Sequence, residues 1–219
     1  MFIAYHYARP TGSYPRQASP AQQRPPERSP TTFGATFAEM VALLGISGSL
    51  RRSSLNRALL DAVRDTLPPG AQMAIVEDLN FPIFNDDLDD PPAIAQLKTA
   101  IADADGVIFG VPEYNYSIPG GLKNALDWIS RPPDSSPLRG KPVGLVGAAG
   151  GMSGTIRAQT HMRQILLYSD SQVLSQPEVL IPRAHERFDT EGRLTDASTR
   201  LLLERFGAAM VAFVQRHRT

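Results

Sequence analysis

From Met40 onward, short apolar runs alternate five times with stretches of helical periodicity. The runs are residues 41–45, 71–76, 107–111, 142–148 and 173–180. Most are nearly unbroken in apolar character, as in strands buried on both faces. The helical stretches carry Leu55, Leu59, Val63 and Leu67 as an i, i+4 stripe, then Ile94, Leu97 and Ile101 behind the opening pair Pro91 and Pro92. Leu122, Leu126 and Ile129 mark the third helix, and residues 155–168 the fourth. The last, residues 196–216, is expected to bury Leu201, Leu202, Phe206, Met210 and Phe213. Five strands alternating with five helices predict an α/β fold with a doubly wound, five-stranded parallel sheet. Pro177 predicts a break or an edge position in the fifth strand.

The 219 residues are 42% hydrophobic and carry no formal net charge, which fits one globular domain. Neutrality removes any electrostatic reason to expect nucleic acid or an anionic membrane as a partner. Cysteine is absent, so disulfides, thiolate metal sites and a cysteine nucleophile are excluded. No apolar run approaches the roughly 20 residues that span a bilayer, and a cytoplasmic location is expected. Residues 1–39 are dense in Pro, Gln, Arg and Ser without apolar periodicity, which predicts a disordered extension. Two other readings of that segment are translation starting at Met40 and an Arg-rich transit peptide. Residues 40–219 are expected to form the folded domain.

Three loops carry the chemistry. Residues 46–54 join strand one to helix one and combine backbone amides, hydroxyls, arginines and a helix N-terminus, the ingredients of an anion site. Ser49, Arg51, Ser54 and Asn56 are the expected phosphate contacts, with Ser47 and Leu55 beside them. The pattern is neither GxGxxG nor GxxxxGK[ST], so a dinucleotide fingerprint and a Walker loop are absent, and a hydroxyl-rich loop suits a terminal monophosphate. The plainer alternative is that Ser53 or Ser54 only caps the helix. The GxSxG spacing also fails, which argues against a serine hydrolase.

The second loop, Pro112, Glu113, Tyr114, Asn115, Tyr116 and Ser117, leaves the carboxyl end of strand three, where open α/β sheets bind ligands. Rigid proline and large aromatics suit a flat ring, hence a flavin with FMN's monophosphate. In the third loop, Gly150, Gly151 and Gly154 let backbone amides approach a planar ligand closely. Amide dipoles there would stabilise negative charge on a reduced flavin. Three loaded loops after strands one, three and four fit the strand order 2-1-3-4-5.

His161 is expected at the surface or an interface, and His185 away from the site. Asp86, Asp87, Asp89 and Asp90 lack Ca²⁺-loop spacing and read as a solvated loop. Arg183, Arg187 and Arg193 are candidates to meet a dinucleotide phosphate.

Residues 48–56, 112–128 and 157–159 resemble the NADPH-dependent FMN reductase family, a flavodoxin-like group that includes chromate and quinone reductases. Weaker matches lie at 81–86, 175–179 and 191–200. The resemblance implies FMN as cofactor, NADPH or NADH as hydride donor, and a small quinone, chromate, azo or flavin acceptor reduced by a ping-pong cycle. It implies no obligatory acid–base side chain, and a homodimer or homotetramer with Tyr116, Ile118 and helix four near the interface. One departure stands out: the family's third loop reads GxSxGxxGG, whereas Ala149 stands for its serine and Thr155 for its last glycine. A side-chain contact to the flavin edge is thereby lost, while the Gly150 and Gly151 backbone contacts survive. The alternatives are a flavodoxin-type electron carrier and a flavin-free binding protein on the same scaffold.

Overall fold

A computed structural model describes residues 40–76 and 78–218. The expectation for residues 1–39 lies outside the described residues. The chain runs β1 (Val41–Ser47), α1 (Leu55–Asp65), β2 (Ala71–Val76), α2 (Pro92–Asp103), β3 (Gly106–Gly110), α3 (Gly120–Ile129) and β4 (Pro142–Ala148). It continues through α4 (Ile156–Leu166), β5 (Gln172–Val173), β6 (Val179–Ile181) and α5 (Ala197–His217). All pairings between the named strands are parallel and the order is β2-β1-β3-β4-β5, which matches the order expected from the loops.

The fifth strand breaks around Pro177, as expected, so the sheet has six strands rather than five. The first piece, β5, pairs with the start of β4, and the second, β6, with its end, Val146 to Ala148. Pro177 lies between them and has no N–H to offer a ladder, so the chain detours and rejoins the sheet.

Side chains alternate faces along each strand. Leu44, Ile46, Val107, Phe109, Val143 and Leu145 pack under α2, α3 and α4. Leu43, Ile108, Val146 and Ala148 pack under α1 and α5. The sheet is therefore covered on both faces. On α5 the buried stripe is Leu203, Phe206, Met210 and Val214, whereas Leu201 is 59% exposed and Leu202 and Phe213 sit at the margin. Leu201, Leu202 and Leu203 are consecutive, so composition alone leaves the stripe's phase open, and contact with the sheet fixes it. No helix among the described residues is long and apolar enough to cross a membrane.

Candidate active site

Because β1, β3 and β4 are neighbours, the loops that follow them meet at one edge of the sheet. They enclose a cavity of about 300 Å³. Ser49, Arg51, Ser54, Leu55 and Asn56 line it from the first loop; Pro112, Glu113 and Tyr114 from the second; Ala149, Gly150, Gly151 and Ser153 from the third. Ser153 carries no signal in the sequence, because a lone serine inside a glycine loop has no distinguishing pattern. Ser47, Asn115, Tyr116 and Ser117 are not on the cavity wall. Asn115 and Tyr116 instead border a shallow outer hollow with Glu113.

The first loop curls on its own hydroxyls. Ser47 Oγ accepts from the Ser49 amide at 3.4 Å, and Ser49 Oγ from the Arg51 amide at 3.3 Å. Ser54 is the N-cap of α1, its Oγ accepting from the Arg57 amide at 3.3 Å. Capping leaves the Leu55 and Asn56 amides as helix-end donors without intrahelical acceptors, and no acidic residue stands in the first turn. With exposed Arg51 alongside, this end of the cavity suits an anion. Asn56 has an additional task. Its Nδ2 donates to the Ala148 carbonyl at 2.9 Å and its Oδ1 accepts from the Ala148 amide at 3.0 Å. Only 5% exposed, it clamps α1 to the end of β4.

The second loop is a miniature hairpin. Tyr114 and Ser117 exchange backbone hydrogen bonds of 2.9 and 3.0 Å around Asn115 and Tyr116, both left-handed at φ 49° and 66°. Two positive φ values make a type I′ turn, in which asparagine is at home and tyrosine is not. The strain of such a residue is about 1–3 kcal/mol and persists only where surroundings hold it. Those surroundings are Glu113 and Arg157. Arg157 Nη1 donates to Glu113 Oε1 at 2.7 Å, and the Arg157 guanidinium lies 4.3 Å from the Tyr116 ring centroid. Burial pushes the Glu113 carboxyl pKa up, but the Arg157 side chain and the amides of Arg157 and Ala158 outweigh it and hold it below the usual value. His161, expected at the surface, is exposed and also touches this loop: its Nδ1 is 3.0 Å from Ser117 Oγ.

The third loop is tied from behind. The Ala149 amide donates to Ile181 O at 3.0 Å, Ala149 O accepts from Ala184 at 2.9 Å, and Gly151 O accepts from Arg183 at 3.0 Å. A Cβ on Gly150 or Gly151 would meet nothing within 4 Å, so both stand at open space. Gly154 is buried, with φ 56°. Thr155 follows, fully buried at φ 72°, an unusual conformation for a β-branched residue. Of the three arginines considered for a dinucleotide, Arg187 pairs with Asp196 at 2.8 Å and Arg193 with Asp189 at 2.8 Å, both within their own segment. Arg183 is 3.7 Å from Glu186.

An anion-seeking end, a proline and tyrosine wall, and an open glycine floor fit a cofactor with a terminal phosphate and a flat ring. A family model for NADPH-dependent FMN reductases matches residues 41–186. An NAD(P)H-dependent FMN reductase of Pseudomonas aeruginosa is 43% identical over 181 residues, covering 81% of this chain and 97% of that protein. A 2-hydroxy-1,4-benzoquinone reductase of a Burkholderia species is 39% identical over 175 residues, covering 79% and 96%. Among solved structures, a flavoenzyme NAD(P)H:(acceptor) oxidoreductase of Paracoccus denitrificans aligns with a TM-score of 0.75 at 32% identity, covering 81% of this chain and 99% of that one. The chain belongs to the NADPH-dependent FMN reductase family and is an oxidoreductase with FMN as cofactor and NAD(P)H as hydride donor.

Proposed function

We propose that this chain is an NAD(P)H:quinone-type reductase that works by a ping-pong cycle, with FMN seated in the cavity and donor and acceptor meeting it in turn at one place. The observation that carries this reading is the single cavity shared by the three loops at the carboxyl edge of the sheet. A quinone is the favoured acceptor because relatives named as quinone reductases include the Burkholderia protein and one of Escherichia coli, 35% identical over 186 residues. Chromate, azo dyes and free flavin are the other acceptors to test.

When bound, FMN supplies the ring that takes hydride and returns electrons. The protein binds and orients. Ser49, Ser54, Arg51 and the Leu55 and Asn56 amides receive the phosphate, with Ser47 shaping their turn. Pro112, Glu113 and Tyr114 form the wall, and Asn115, Tyr116 and Ser117 support it from outside. Ala149, Gly150 and Gly151 form the floor, where amide dipoles favour negative charge. No side chain is assigned as acid or base.

A cytoplasmic homodimer or homotetramer belongs to the same reading. Exposed Tyr116, Ile156, Leu167 and Tyr168 on the outer hairpin and around α4 support association, which sedimentation checks.

The deciding experiment is an anaerobic NADPH titration of the FMN-loaded protein, followed by its visible spectrum. Bleaching within turnover times, reversed by a benzoquinone, supports the reductase. Bound flavin that stays yellow would replace it with the electron-carrier reading.

A further inference from the structure

Helix α4 has no N-terminal cap of its own. Left-handed Thr155 offers no capping bond, and the first turn holds no acidic residue. The missing acceptor comes from the second loop. Glu113 Oε2 accepts from the Arg157 amide at 3.1 Å while Oε1 accepts from the Arg157 side chain. The Glu113 side chain is largely covered while Arg157 stays half exposed, so this is a directional, charge-assisted contact at the surface. One turn later His161 reaches Ser117. Arg157 and His161 stand four residues apart and therefore on one face of α4, and the strained hairpin lies along that face. Neither residue lines the cavity.

We propose that Arg157 and His161 are positioning residues: they hold the Asn115–Tyr116 turn in its left-handed form, and through it set the Pro112 to Tyr114 wall against FMN. This rests on the assignment of the cavity to FMN. Arg157 acts in two directions at once, toward the Glu113 carboxylate and toward the Tyr116 ring. Glu113 caps α4 from the far side of the same contact, so the loop and the helix order one another.

The test uses Arg157→Ala, Arg157→Lys, His161→Ala and His161→Gln in the full chain. The tyrosine near-UV circular dichroism and the amide exchange of residues 114–117 are read on the apoprotein. FMN affinity is read by flavin fluorescence, and KM and kcat on the loaded enzyme. Arg157→Ala should alter the tyrosine signal, speed exchange, weaken FMN by about tenfold and raise KM for a benzoquinone more than it lowers kcat. Arg157→Lys keeps charge without the planar fork and should recover only part of this. His161→Gln can keep a hydrogen bond to Ser117 and should stay near wild type, whereas His161→Ala should not. Unchanged tyrosine signal and FMN affinity in both alanine variants would overturn the proposal, as would a lower melting temperature with FMN affinity intact. Altered apoprotein signals alongside a wild-type chain that binds no FMN would uphold the positioning of the hairpin and reject the cofactor assignment instead.

Discussion

Thr155 occupies the space that a side chain on residue 147 would need. A Cβ built on Gly147 falls 1.7 Å from Thr155 Oγ1 and 2.9 Å from Gln159 Nε2. Gln159 in turn donates to Thr155 Oγ1 at 3.2 Å and to the Val179 carbonyl at 3.0 Å, tying α4 to β6. Gly147→Ala should therefore cost about 3 kcal/mol or more, seen as a fall in melting temperature of roughly 6–12 °C. Thr155→Gly removes the obstructing hydroxyl and the left-handed strain, so the double variant should regain much of the loss. A double-mutant cycle that comes out additive would reject the coupling.

Asn56→Ala leaves both polar atoms of the Ala148 backbone without their partner in a buried place. The expected cost is about 2–5 kcal/mol, measured as a shift in the urea midpoint of the apoprotein. Asn56→Asp should be no better, because a carboxylate oxygen would face the Ala148 carbonyl. If Asn56 mattered chiefly as a phosphate ligand, the apoprotein midpoint would stay and only FMN affinity would move.

Arg51→Ala should weaken FMN by about 1.5–3 kcal/mol, or roughly 10- to 150-fold, the range for a hydrogen bond to a charged group. Riboflavin, which lacks the phosphate, should bind wild type and variant alike. Equal losses for both ligands would move Arg51 away from the phosphate.

Acid should destabilise this protein through carboxylates held low in the folded chain, Asp196, Asp105, Glu113 and Asp189, the last by Arg193. Asp196 caps α5, and hydrogen bonds from the Ser198 hydroxyl and from the Thr199 hydroxyl and amide hold its pKa well below the usual range. Burial raises the pKa of Asp105, but its bonds with Arg218 and the Ala42 amide prevail and lower it. Glu113 is lowered likewise. A carboxyl titrating lower in the folded chain contributes stability above its unfolded value, about 3.9 for Asp and 4.3 for Glu. That contribution is lost as pH falls through the folded value. The melting temperature should hold from pH 7 to about pH 5 and drop below about pH 4. Asp196→Asn should flatten the drop, and an identical acid limb in that variant would remove Asp196 from the account.

The fold is largely legible in the sequence because strands covered on both faces read as apolar runs, and Pro91, Pro92 and Asp196 announce helix starts. The phase of α5 is not, since Leu201, Leu202 and Leu203 compete and only the sheet chooses. The site is legible at the level of loops: each loop contributes to the cavity. Individual roles are less so. A carboxamide such as Asn56 serves as well for clamping a backbone as for touching a ligand. Tyr116 reads as a ring contact, whereas its side chain stacks under Arg157, which belongs to α4 and lies beyond β4 in the chain. Contacts across such a separation leave no local pattern.

The stitching of the third loop to residues 181–184 separates two jobs that loops usually share. Ala149 is held by its amide and carbonyl and Gly151 by its carbonyl, so the path of the chain does not depend on which side chain stands at position 149. Ala149→Ser should therefore leave stability within about 0.5 kcal/mol while placing a new hydroxyl at the cavity wall. The scaffold thus offers an adjustable screw beside the cavity: residue 149 can be turned to change the chemistry of the wall without loosening the frame behind it.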